Sequence, residues 1–173
     1  MSNSSKGGSR TASTTTGDTL VLGLGNVLRG DDGVGTAVIS TLQTQSLPDG
    51  IDLIDGGTVG LEIVLLLKEY RRVIVVDAAE MGLEAGEWRV FEGSSAIIPS
   101  NPSCMNGTLH GAGFAEALAL AEALGTLPEE LLVFGVQPER TDWEEGLSEG
   151  VKTAVPDLCE AIKATIVRSG IGF

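Results

Sequence analysis

Short apolar runs, each closed by a turn-forming residue, alternate along this chain with stretches whose apolar residues fall at helical spacing. Leu20–Leu24 ends at Gly25, Ile51–Ile54 at Asp55-Gly56-Gly57, Val73–Val76 at Asp77, and Leu131–Val136 just before Pro138. Runs this short predict strands, with Leu20–Leu24 buried on both faces and Leu131–Val136 buried as well. Val73–Val76 is the clearest, because all four residues are β-branched. Between the runs, Val34–Leu42 and Leu61–Glu69 carry apolar residues three and four apart, the stripe of a helix. Phe114–Leu124 is rich in Ala and Leu and meets a stop at Gly125. Leu147–Val167 is a last helical region, in which Pro156 either starts a new helix or kinks the one it sits in. Trp88–Phe91 reads as an edge strand. This alternation predicts an α/β fold, a three-layer α/β/α sandwich around a largely parallel sheet of about five strands.

The two ends of the pattern set the domain. Residues 1–18 are dominated by Ser, Thr and Gly, and cannot bury enough surface to offset their ordering entropy. They are expected to be a flexible polar tail, followed by one domain over residues 19–173. Ser94–Gly107, with two prolines, two asparagines and a closing glycine, reads as a long loop.

Composition then narrows the chemistry. A single histidine, His110, excludes a three-histidine zinc site and the H-E-x-x-H helix. Two cysteines, Cys104 and Cys159, exclude a four-thiolate zinc site and a disulfide scaffold. A divalent metal held within this chain therefore needs carboxylates. The net charge of −13 and the absence of a basic stripe argue against nucleic acid and against anionic membrane surfaces. No apolar run approaches the ~20 residues of a spanning helix. The polar start carries no export signal, so a reduced, cytoplasmic location is the expectation.

The acidic residues fall where an open α/β sheet puts its chemistry, beyond the carboxyl ends of the strands. Asp31 and Asp32 follow the first run, Asp55 closes the second and Asp77 the third. Asp31 and Asp32 fit a site and equally fit the N-cap of a helix starting near Gly33. Asp55 before Gly-Gly fits a turn better than a site. Asp77 directly follows four buried apolar residues, where a carboxylate is costly unless paired, capped or ligated. His110 stands at the end of the long loop and the start of a helix. Gly23-Leu-Gly25 opens like a dinucleotide fingerprint, but position 28 is Leu and the loop is acidic. A Cys104–His110 nucleophile pair has nothing nearby to stabilise a thiolate.

Five segments together resemble the nickel–iron hydrogenase maturation endopeptidases. They are Leu22-Gly-Leu-Gly-Asn-Val-Leu-Arg-Gly-Asp-Asp-Gly-Val-Gly35, Asp55-Gly-Gly-Thr-Val-Gly60, Val75-Val-Asp-Ala78, His110 before its Ala/Leu helix, and Gly135-Val-Gln-Pro138 with Gly146-Leu-Ser148. The order and spacing agree from about Leu20 to Ala164. The resemblance implies a phosphorylase/hydrolase-like α/β peptidase domain that removes a C-terminal extension from a hydrogenase large-subunit precursor after nickel insertion. It also implies that Asp32, Asp77 and His110 contact the metal. Some relatives carry Glu where this chain has the shorter Asp32, and the approach Gly107-Thr-Leu to the histidine also departs from some relatives.

Two carboxylates and one imidazole suit a borderline divalent ion such as nickel. Three ligands from the enzyme leave coordination positions open, a precursor that already holds nickel through its own thiolates completes the shell, and the ion acts as tether and checkpoint. Asp32 and Asp77 are the expected catalytic residues. They either act beside a metal that polarises the carbonyl or activates water, or work as a proton-sharing carboxylate pair. The expected enzyme is a monomer. The alternative from another class is a chaperone that binds the same immature metal site and cuts nothing.

Overall fold

The computed structural model describes residues 17–58, 60, 62–93 and 111–169. Five strands, β1 (Thr19–Leu24), β2 (Ile51–Gly57), β3 (Arg72–Ala78), β4 (Trp88–Glu92) and β5 (Glu130–Val136), form one sheet in the order β2-β1-β3-β5-β4. All neighbours pair in parallel except β4, which runs antiparallel along β5 at the sheet edge. Among the described residues four α-helices accompany them: α1 (Val34–Gln43), α2 (Glu62–Leu67), α3 (Gly111–Ala123) and α4 (Glu149–Ser169).

The pleat explains why the central runs have no polar face. Along β1, Leu20, Leu22 and Leu24 point to one side and Val21 to the other; along β3, Val73 and Val75 oppose Ile74 and Val76. The first side packs on α2 and α3 through Ile63, Leu67, Phe114 and Leu118. The second packs on α1 and α4 through Val38, Leu42, Leu158 and Ile162. Two cores, one on each face, make the three layers, and the strands between them must be apolar throughout.

Helix boundaries follow local chemistry. Gly125, at φ +65°, ends α3: its N–H bonds the Glu122 carbonyl and Thr126 N–H bonds that of Ala121, the paired bonds of a Schellman cap. α4 runs through Pro156 as one helix of 21 residues, so the proline does not start a new one. Pro156 lies on the exposed face, where water can serve the Lys152 carbonyl left without its N–H partner. Among the described residues no helix is long and apolar enough to cross a membrane.

The last two residues of the segment read as a tail are tied to the sheet. Gly17 N–H donates to Asp52 Oδ2 at 2.8 Å, and Asp18 pairs with Arg71 at 2.8 Å. The Tyr70 hydroxyl donates to the same Asp52 oxygen at 2.9 Å. Burial, then this hydrogen bond and the charges of Asp52 and Glu69, push the phenol up from 10.0 to about 12. The neutral phenol is the favoured form in the fold. Its contribution to stability is therefore complete below pH 10 and lost as pH rises from there towards 12. Tyr70 is the chain's one tyrosine, so absorbance at 295 nm reads it alone. The expected native titration midpoint is about 12, moving down in Asp52→Asn; a midpoint of 10.0 in the native protein contradicts the contact.

Candidate active site

In the strand order β2-β1-β3, the chain leaves β1 in one direction and returns on its other side at β3. A crevice opens at such a switch, beyond the carboxyl ends of the two strands. The residues found there are the loop after β1 and the end of β3, which bring Asp32 and Asp77 to the same edge.

Asp32 belongs to a one-turn 3₁₀ helix, Gly30–Gly33, that leads into α1. Neither Asp31 nor Asp32 caps a helix with its side chain; the N-cap position of α1 falls on Gly33, which has no side chain to offer. The two consecutive carboxylates, both fully buried, have different partners. Asp31 faces the loop between β5 and α4. Its Oδ2 accepts Glu139 N–H at 2.8 Å, Arg140 N–H at 3.2 Å and Ser148 Oγ–H at 2.8 Å, and its Oδ1 accepts Ser148 N–H at 2.6 Å. Asp32 Oδ2 accepts Asn26 N–H at 3.0 Å, back across its own loop. The loop thus has its own carboxylate on a backbone N–H that a phosphate-binding loop would offer to the ligand. That disposes of the dinucleotide resemblance of Gly23 and Gly25.

Glycines let these pieces meet. A Cβ on Gly25, at φ +130°, would lie 1.7 Å from the Asp32 carbonyl oxygen. A Cβ on Gly35 would lie 2.2 Å from the Leu24 carbonyl and 2.7 Å from that of Val76. The first turn of α1 therefore sits directly on the last residues of β1 and β3, one residue before Asp77. Gly25 N–H bonds the Gly57 carbonyl at 2.9 Å, and the β1–β2 register shifts between Gly23 and Leu24, a bulge at the same edge.

Asp77 is fully buried and accepts Ala78 N–H at 2.8 Å. By the pleat it shares a face with Val73 and Val75, the face that α2 and α3 cover. Its register partner on β5 is Gly135, which brings no side chain beside it. Residues 124–129 return the chain from α3 to the start of β5, so α3 ends at the amino edge. Its 13 residues, about 20 Å at 1.5 Å each, carry its first residue, Gly111, back towards the carboxyl edge. His110 itself lies outside the described residues, as does Cys104. Among the described residues alone, no three His, Cys, Asp or Glu side chains form a metal cluster.

Asp55 is exposed and accepts Thr36 Oγ1–H at 3.0 Å and Gly57 N–H at 3.1 Å. This is the turn reading of that residue. An open cleft of about 240 Å³ lies beside it, lined by Gly25, Asn26, Thr36, Asp55 and Thr58 among others. A larger cleft of about 470 Å³ opens at the opposite edge, where the strands begin. Its cations are engaged in ion pairs, Arg71 with Asp18 and Glu129, and Arg72 with Glu130. It carries no part of the chemistry argued here.

One organising residue escaped the reading from sequence. Gln137 is buried, and its Oε1 accepts Met81 N–H at 2.7 Å and Leu83 N–H at 3.2 Å, while Nε2 donates to Glu80 Oε2 and to the Pro138 carbonyl. It holds the loop that follows Asp77. The only signal for it was a carboxamide between a buried strand and a proline.

These contacts tie segments far apart in the chain into one unit. The first is bonded to the last through Asp31 and Ser148, 117 residues apart, to the second through Gly25 and Gly57, and packs on the third through Gly35 and Val76.

Comparison with known proteins agrees with the geometry. The family model HycI, described as hydrogenase maturation protease, matches residues 36–165, which include Asp77 and His110 and begin just after Asp32. The hydrogenase expression/formation protein HupD of Rhizobium leguminosarum bv. viciae is 36% identical over 143 residues, 82% of this chain and 70% of that protein. The hydrogenase 2 maturation protease of Escherichia coli K12 is 29% identical over 157 residues, 88% of this chain and 92% of that protein. Among solved structures, the hydrogenase maturating endopeptidase HybD from E. coli superposes with a TM-score of 0.76 at 27% identity, covering 88% of this chain and 93% of that one. The hydrogenase 2 maturation peptidase from Thaumarchaeota archaeon SCGC_AB-539-E09 gives 0.66 at 32% identity, covering 86% and 97%.

Proposed function

Because the chain belongs to the hydrogenase maturation protease family, we propose that it is an endopeptidase that removes the C-terminal extension of a nickel-loaded hydrogenase large-subunit precursor. The observation that carries this reading is the placement of Asp32 and Asp77. Two fully buried carboxylates stand at the switch-point edge of the sheet, and α3, which His110 precedes in the sequence, begins towards the same edge.

Asp32, Asp77 and His110 are the metal-contacting residues of this reading. Nickel arrives as part of the substrate, already held by the precursor's own thiolates, and the enzyme's O/O/N donors suit such an ion. The precursor without nickel lacks that contact and is not cut. In the bond-breaking step, a water oxygen attacks the scissile carbonyl, one aspartate takes the water proton, and the proton passes to the leaving amine. Asp32 and Asp77 serve this step either as a pair sharing a proton or as a base beside a carbonyl polarised by the metal. In this reading the enzyme works as a monomer in the cytoplasm.

The test is to mix purified protein with nickel-loaded and nickel-free precursor and weigh the products by mass spectrometry. Loss of a C-terminal peptide only from the loaded form is the expected result. Equal cleavage of both forms removes the role of nickel. An intact complex with no cleavage makes the protein a chaperone of the same metal site.

A further inference from the structure

The loop that carries Asp32 also presents apolar side chains to solvent. Val27 is 49% exposed and Leu28 46%, and on the facing loop between β5 and α4 Trp143 is 77% exposed. A solvent-facing cluster containing an indole marks an interaction site when it is contiguous and held in place. This one is braced. The Arg29 guanidinium lies over the Trp143 ring, 5.6 Å from its centre, and Arg29 Nε donates to the Thr141 carbonyl at 3.2 Å. Gly30 N–H donates to the Glu144 carbonyl at 2.6 Å and Asp31 N–H to that of Arg140 at 3.0 Å. Asn26 sets the near side: its Oδ1 accepts Leu28 N–H and its carbonyl accepts Arg29 N–H, both at 3.0 Å. These bonds join the two loops, one carrying Trp143 and the other Val27, Leu28 and, four residues on, Asp32, and the joined pair is termed the ridge.

We propose that this ridge docks the polypeptide substrate. Trp143, with Val27 and Leu28, takes an apolar stretch of the precursor's surface next to the scissile bond and so sets which protein is cut. The inference rests on the endopeptidase reading and deepens it. Three observations choose the occupant. Val27 and Leu28 share a loop with Asp32, so what binds there is held on the segment that carries a proposed catalytic residue. A metal ion or a small molecule in the crevice has no use for an indole on the outer loop, whereas Trp and Arg are the residues that dominate protein–protein binding energy. A second copy of this chain brings another −13 of charge, and repulsion opposes that pairing. Bracing before binding also lowers the ordering cost of the contact.

The test is steady-state cleavage of a nickel-loaded precursor by wild-type and Trp143→Ala protein. The expected result is a KM raised about 10-fold or more, with kcat within about twofold and an unchanged thermal midpoint, and with most of the loss recovered in Trp143→Phe. An unchanged KM for Trp143→Ala, measured beside an active wild type, overturns the docking role and leaves the protease reading intact. If the wild type binds the precursor without cutting it, the protease reading fails instead. The ridge is then judged by whether Trp143→Ala weakens that complex about 10-fold. Sedimentation covers the remaining occupant: a wild-type dimer that Trp143→Ala abolishes makes the ridge a contact between copies and overturns the proposal.

Discussion

Asp32→Asn and Asp77→Asn are each expected to lower turnover of the nickel-loaded precursor by about 10²- to 10⁴-fold, the usual contribution of a positioned general base. The substitution keeps shape, removes the charge and the ability to take a proton, and turns one acceptor oxygen into an N–H₂ donor. The Asn carbonyl oxygen can still accept Asn26 N–H at position 32 and Ala78 N–H at position 77, the bonds seen at 3.0 and 2.8 Å. A folded, inactive protein is therefore the expected outcome, with its circular dichroism unchanged. Single-turnover cleavage and precursor binding, measured on the same samples, separate the roles. A variant that binds the loaded precursor normally and fails to cut it has lost the base. One that no longer distinguishes loaded from nickel-free precursor has lost a metal contact. Full turnover in either variant removes that residue from the chemistry.

The prominence of these two residues in the sequence has a physical basis. Strand ends in a parallel sheet are marked by the abrupt change from β-branched residues to a polar one, as at Val76-Asp77, and topology then puts those ends on one edge. The layers were legible for the same reason, because β1, β3 and β5 are buried on both faces and have no room for a polar alternation. The edge strand β4 was legible only as alternation over a few residues, with Arg89 and Val90 exposed in the structure. What could not be read were interactions with no local period. Nothing near Asp31 in the chain announces a bond to Ser148, 117 residues away, and nothing near Gln137 announces the loop it holds. The reading of Asp31 or Asp32 as a cap missed the intervening 3₁₀ turn, which starts α1 at Val34 and leaves Gly33 at the cap. Exposure of Trp143 was equally silent, since an indole in sequence looks like core.

Asp31→Ala is expected to do the opposite of Asp32→Asn, and the contrast tests the assignment of two adjacent carboxylates to different work. Removing the Asp31 side chain leaves three backbone N–H groups and the Ser148 hydroxyl without their acceptor, in a region where Asp31 itself is fully buried. Each buried donor left unmet costs about 1–3 kcal/mol, less where water enters. The sum is expected near 4 kcal/mol, at the upper end of single-residue effects. For a domain of this size that lowers the thermal midpoint by about 10 °C. Asp31→Asn keeps one acceptor but turns an amide N–H₂ towards donors, so it is expected to recover less than half of the loss. Activity well below the midpoint is expected to fall far less than in Asp32→Asn, because the reacting groups remain; the loss falls mainly on KM, since the ridge bearing Trp143 is braced through the same carboxylate. Differential scanning calorimetry of the two variants beside the wild type reads the first effect, and initial-rate kinetics the second. A midpoint for Asp31→Ala within about 2 °C of wild type, against the size of shift argued above, shows that the bonds to Glu139, Arg140 and Ser148 do not hold the site together.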